Sequence, residues 1–212
     1  MFLLDHFHRF PPIELADDNG ILAVGGDLHP DRVLLAYKQG IFPWYNEGEP
    51  IVWYSPDPRM VLFPKEVKIS KSMRKILRSN TFTVTFNQDF KQVIHRCKTV
   101  RRSHQEGTWI TDALEKTMIQ LHQKGIAKSV EVWQNDLLVG GLYGIDLGSL
   151  FCGESMFSLV SNASKVAFIR LAQELDQKNY PLIDCQVYND HLASLGAIEI
   201  PRALFKTYLP EK

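Results

Sequence analysis

From Ser129 to Phe157 the chain leaves little choice but an antiparallel run of strands. Ser129 to Gln134 alternates apolar and polar residues, and Leu137 to Ile145 answers it. Between them stands Asn135-Asp136, a pair that tolerates the left-handed backbone of a two-residue hairpin turn. Ser149 to Phe157 predicts a third strand. The return strand carries Gly140, Gly141 and Gly144. Glycine inside a strand marks a bulge or a close backbone approach, such as that of a ligand.

The flanking segments turn this run into a layered domain. Thr81 to Phe86 predicts a strand and Phe90 to Cys97 a helix. Arg101-Arg102-Ser103-His104 predicts a basic loop. Thr111 caps a helix with Leu114, Met118 and Leu121 on its buried stripe and Gly125 at its end. Asn162 to Gln177 predicts a helix with Phe168, Leu171 and Leu175 on one face. Leu182 to Asp190 alternates as an inner strand, with Ile183, Cys185 and Val187 on one side and Asp184, Gln186 and Tyr188 on the other. A short helix capped by Asn189 or Asp190 stops at Gly196, and Arg202 to Leu209 predicts a last strand. The sum is α+β with a mixed sheet and flanking helices over residues 63–212.

Residues 1–62 read as a small irregular domain. Asn19-Gly20 and Gly25-Gly26-Asp27 signal turns, and Asp27 to Gly40 predicts a helix. Trp44, Tyr45, Trp53 and Tyr54 stand among five prolines from Pro43 to Pro64, which excludes regular helix. Two uses fit them, a small core and a stacking platform for a base or peptide.

Charge narrows the partners. The net charge is zero, but residues 61–104 hold 11 basic and 2 acidic side chains. Lys71, Arg74, Lys75 and Arg78 fall on one face of a helix that Ser70 or Ser72 caps. Like charges this close repel, so either phosphates lie opposite them or the face is simply solvated. No apolar run reaches the length of a membrane helix, and Met1 to His6 lacks the pattern of a secretory signal. Cys97, Cys152 and Cys185 are odd in number and far apart, which suits a reducing cytoplasm and neither disulfides nor zinc. No metal and no cofactor is expected.

The chemistry concentrates on two strands. Asp184 and Gln186 share a face, either presented to a substrate or, for Asp184, capping a loop. Glu154 is the one charge in Leu150-Phe151-Cys152-Gly153-Glu154-Ser155-Met156-Phe157. A buried carboxylate needs a partner, such as Lys165 or an arginine, or a task. Phe151, Met156, Phe168 and Ile183 fit either a pocket for an apolar side chain or plain core.

Six blocks carry a family resemblance: Gly25-Gly26-Asp27-Leu28, Gly40-Ile41-Phe42-Pro43-Trp44, Trp53 to Arg59, Gly107-Thr108-Trp109-Ile110-Thr111, Phe151 to Phe157, and Ile183-Asp184-Cys185-Gln186. Together they resemble leucyl/phenylalanyl-tRNA–protein transferase over most of the chain. Leu142 stands where some members have methionine, and many members continue past the position of Lys212. The element order is likewise similar to the N-acetyltransferase (GNAT-like) fold.

The resemblance implies a specific reaction. Leucine or phenylalanine would pass from its charged tRNA to the N-terminal amine of a protein beginning with lysine or arginine, creating a degradation signal. Trp44, its aromatic neighbours and Trp109 would hold the 3′ adenosine. Leu142, Phe151, Ser155, Met156, Phe168, Leu171 and Ile183 would contact the esterified amino acid. Asp184 and Gln186 would act on the attacking amine, and Glu154 would pair with the acceptor. Lys71, Arg74, Lys75 and Arg78 would meet tRNA phosphates. Two rivals remain: a coenzyme A acetyltransferase, for which the pyrophosphate-binding glycine turn is missing, and a non-catalytic RNA-binding protein.

Overall fold

A computed structural model describes residues 1–100 and 108–210. The expected basic loop at Arg101 to His104, together with Glu106 and Gly107, lies outside the described residues.

The first part of the chain is more regular than its composition suggests. β1 (Phe2–Leu4), β2 (Ile21–Gly25), β3 (Phe42–Pro43) and β4 (Val52–Tyr54) form a four-stranded sheet in the order β1-β2-β4-β3. The prolines fall between strands or at the end of one, where a missing N–H costs little. Trp53 is fully buried on β4 and donates its indole N–H to the Gly25 carbonyl at 2.9 Å. Truncating such a side chain costs roughly 3–5 kcal/mol. The helix α1 (Pro30–Lys38) starts three residues later than expected, because Pro30 fits the first helical position and His29 caps it. Asp27 instead pairs with the buried Arg32.

The second sheet has seven strands: β5 (Arg59–Leu62), β6 (Thr83–Phe86), β7 (Ala127–Gln134), β8 (Leu137–Asp146), β9 (Phe151–Ser158), β10 (Ile183–Gln186) and β11 (Ile198–Ile200). Their order is β11-β5-β10-β9-β8-β7-β6. The hairpin expected at Asn135-Asp136 is present, with φ of 49° and 62° at the two residues. Every neighbouring pair is antiparallel except β9 and β10, which run parallel. The sheet is therefore mixed, as expected.

Helices cover both sheet faces. α2 (Lys71–Arg78) begins at Ser70, whose side chain accepts from the Met73 N–H. α3 (Phe90–Thr99) and α4 (Asp112–Gln123) bury Val93, Ile94, Leu114 and Met118 on one face of the sheet, and α5 (Ala163–Gln177) buries Val166, Phe168 and Leu171 on the other. The β8 glycines admit the chain's own neighbours and no ligand. A Cβ on Gly140 would stand 2.5 Å from that of Ala163, at the start of α5.

α6 (Asp190–Ser194) follows β10 as expected, but the end of the chain departs from expectation. The last strand is Ile198–Ile200, and Arg202–Lys206 forms the helix α7. Pro201, at φ −57°, precedes α7 and suits a helix start. α7 then ties the two sheets together. Arg202 bonds the Ser55 carbonyl and Asp57, Lys206 pairs with Glu14, and Phe205 packs against Gly40. Leu22, Val33 and Trp53 from the first part share one core with Val61, Phe90 and Phe205.

Candidate active site

The parallel seam is short, and the site opens where it ends. β9 and β10 pair only at Ile183 with Phe151 and at Asp184 with Cys152. Just past it the pairing of β10 with β5 shifts register between Asp184 and Gln186, and Gln186 takes a φ of +66°. A cavity of about 490 Å³ occupies the gap, within the usual range for a small-molecule site. It draws residues from the cores on both sheet faces. Leu142, Met156, Phe168, Leu171, Cys185 and Leu192 make an apolar wall on the α5 side. Phe42, Trp44, Trp109 and Tyr143 line the opposite side, and Gly153, Glu154 and Gln186 lie at the seam.

The expected residues divide accordingly. Trp44, Trp109, Leu142, Ser155, Met156, Phe168, Leu171, Glu154 and Gln186 all line the cavity. Phe151 and Ile183 do not; as register partners they sit where the strands are still joined, behind the wall. Asp184 is absent from the wall as well, and Cys185 takes part instead. Strict alternation fails because the bulge resets the direction of each later side chain. Cys185, Gln186, Val187 and Tyr188 consequently all reach the cavity.

Asp184 is 1% exposed and faces Arg59, itself on β5 and equally buried. Arg59 Nε and Nη2 donate to the two carboxylate oxygens at 2.8 and 2.7 Å. Asp184 Oδ1 also accepts the Gln186 backbone N–H at 2.9 Å. Both oxygens are thus engaged within the fold, and the carboxylate supports Gln186 from behind.

Glu154 has a different setting. Among the described residues neither Lys165 nor an arginine forms a salt bridge with it. Its Oε1 accepts the Gln186 side-chain amide at 2.7 Å, while Oε2 is buried with no hydrogen-bond partner among the described residues. The Tyr37 hydroxyl stands beside it and favours its charged form, although no hydrogen bond closes between them. Burial pushes the Glu154 carboxyl up to about 7, against the pull of Tyr37 and Gln186. Such a group exchanges a proton readily near neutral pH. The same burial pushes the Cys152 and Cys185 thiols up, so they stay protonated and unreactive.

Lys71, Arg74, Lys75 and Arg78 are all exposed along α2, outside the cavity. Sequence reasoning missed Arg59, Tyr37 and Cys185. Arg59 left a signal, as a lone charge opening the apolar Met60-Val61-Leu62. Tyr37 left none, since its spacing marks it only as core.

The mixed sheet parts over a cavity with an apolar wall, and the buried Glu154 carboxylate stands at the seam. The comparisons name the family. The model of leucyl/phenylalanyl-tRNA protein transferase matches residues 61–210, and the model of its N-terminal domain matches residues 26–57. A leucyl/phenylalanyl-tRNA--protein transferase of Flavobacterium johnsoniae is 62% identical over 203 residues, 96% of each chain. One of Christiangramia forsetii is 56% identical over 211 residues, 99% of this chain and 100% of its own. The chain belongs to the leucyl/phenylalanyl-tRNA–protein transferase family, a family of aminoacyltransferases. A solved GCN5-related N-acetyltransferase of Kribbella flavida is similar over 84% of this chain and 63% of that one, with 8% identity and a TM-score of 0.40, too slight to bear on activity. Among the described residues no helix is long and apolar enough to cross a membrane.

Proposed function

We propose that this chain takes leucine or phenylalanine from its charged tRNA and joins it to the N-terminal α-amine of a protein beginning with lysine or arginine, which marks that protein for degradation. The observation that carries this reading is the cavity, apolar on the α5 side and polar at the seam. Leu142, Met156, Phe168 and Leu171 take the esterified side chain. Trp44 and Trp109 hold the 3′ adenosine. The exposed face of α2 meets tRNA phosphates. Charged tRNA is a cytoplasmic substrate, and we infer the same compartment for the enzyme.

The ester is already activated, so positioning supplies much of the rate, ~7 kcal/mol or more. The neutral amine attacks the ester carbonyl carbon and forms the new C–N bond. Glu154, ionised above about 7, accepts the proton that the nitrogen must shed. The C–O bond to the ribose then breaks, and the protonated Glu154 returns that proton to the leaving oxygen. Gln186 holds Glu154 in place through the 2.7 Å amide bond. Asp184 acts behind Gln186, not on the amine.

The test mixes the purified chain, leucyl-tRNA and a peptide beginning with arginine. Mass spectrometry should find the peptide heavier by one leucine residue. Unmodified peptide with leucyl-tRNA, or an acetylated one with acetyl-CoA, would overturn the reading.

A further inference from the structure

Arg59 lies outside the cavity wall, yet all three nitrogens of its head are engaged. Two hold Asp184, and Nη1 donates to the Gly40 carbonyl at 3.2 Å. The guanidinium also lies over two rings, 4.8 Å from the centre of Phe42 and 4.6 Å from that of Phe205. Three distant segments therefore meet on one side chain of β5: the end of α1 with β3, the strand β10, and the C-terminal α7. A buried ion pair of this kind is weak evidence for stability, since apolar replacements often serve as well. Its second connection is more informative. Asp184 Oδ1 accepts the N–H of Gln186, the residue at φ +66°, and so braces a backbone conformation that non-glycine residues seldom adopt. The Gln186 side chain then reaches Glu154 at the cavity floor.

We propose that Arg59 is a positioning residue for aminoacyl transfer: clamped by Phe42, Phe205 and the Gly40 carbonyl, it sets Asp184, which sets Gln186 and, through it, Glu154. The inference rests on the reading of the cavity given above. Arg59 touches no substrate. A fault in its fork passes through one hydrogen bond to the bulge and through a second to the carboxylate, so it should alter the rate of transfer and spare substrate binding.

The test compares full-length variants by steady-state transfer from leucyl-tRNA to a peptide beginning with arginine, beside a thermal melt. Leucine transfer by the parent decides the function reading, and only the variants bear on Arg59. Arg59→Gln with Asp184→Asn keeps a hydrogen-bonded neutral pair and leaves no unpaired charge. It should melt cooperatively, keep KM for leucyl-tRNA within about twofold, and lose kcat by roughly 10²-fold. Arg59→Lys keeps the charge without the planar fork and should lose kcat by about tenfold or more, again with KM unchanged. Phe205→Leu, which removes one ring of the clamp, should lose kcat by a few-fold. Parental kcat in any folded member of the first two, or a rise in KM alone, would overturn the proposal. If the neutral pair fails to fold, Arg59→Lys decides.

Discussion

Asp184 and Glu154 occupy neighbouring strands of one sheet, and both are buried. Asp184 faces Arg59, which meets both its oxygens at hydrogen-bonding distance. Glu154 faces the cavity with one oxygen held by an amide and the other unpartnered, and burial lifts its carboxyl to about 7. The difference lies in charge compensation. A paired carboxylate supports structure, while one desolvated beside a cavity becomes a proton carrier near neutral pH.

Several substitutions break that contrast at different points. Glu154→Gln keeps the shape and removes the titrating group. Single-turnover transfer should fall by about 10²–10⁴-fold, while the melting temperature holds or rises. Asp184→Leu should instead cost stability as well as rate. It strands the Arg59 charge in the interior, and denaturant unfolding should show a loss of about 3–5 kcal/mol. A stable Asp184→Leu protein would mean that Arg59 finds another anion.

The lifted Glu154 carboxyl also ties stability to pH. Its folded value of about 7 lies above the ordinary 4.5, so the folded state holds the proton more tightly. Its contribution is fully present below about 4.5 and is lost as pH rises to about 7. The loss is on the order of 3 kcal/mol. In Glu154→Gln this part of the pH dependence should vanish; equal slopes in the two proteins between those pH values would contradict the lifted value.

Smaller effects are expected away from the two carboxylates. Met156→Ala enlarges the apolar wall and should relax the choice of amino acid by ~1–3 kcal/mol, read as the ratio of kcat/KM for leucyl- and isoleucyl-tRNA. Unchanged selectivity would leave Met156 a packing residue. Replacing Lys71, Arg74, Lys75 and Arg78 by alanine should weaken tRNA binding and flatten its salt dependence, with log–log slope lowered by about 0.7–0.9 per lost phosphate contact. An unchanged slope would make the α2 face merely solvated.

The strands from Ala127 to Ser158 and the helix α5 were legible in the sequence because their periodicity agrees with the packing. The helix α7 was not, since Arg202 to Leu209 is too short to show a period, and Pro201 alone marks its start. The six motif blocks carried most of the cavity wall. The roles of Asp184 and Cys185 were illegible for a definite reason: one extra residue in β10 breaks the period on which the face assignment rested. No local pattern in the sequence links Arg59 to Asp184, 125 residues away. Glu154, by contrast, declared itself as a lone charge in an apolar strand, while the sequence left open whether it has a charged partner or a task.

The central claim is that Glu154 carries the proton, and the pH profile of single-turnover leucine transfer tests it most directly. The acceptor amine must be neutral and Glu154 ionised, so the logarithm of the rate should rise with a slope near two below about 7 and near one between 7 and the amine's own value of about 8. In Glu154→Gln only the amine titrates, and the slope should stay near one throughout at a much lower rate. Identical slopes in the two proteins across pH 6 to 8 would remove Glu154 from the proton path.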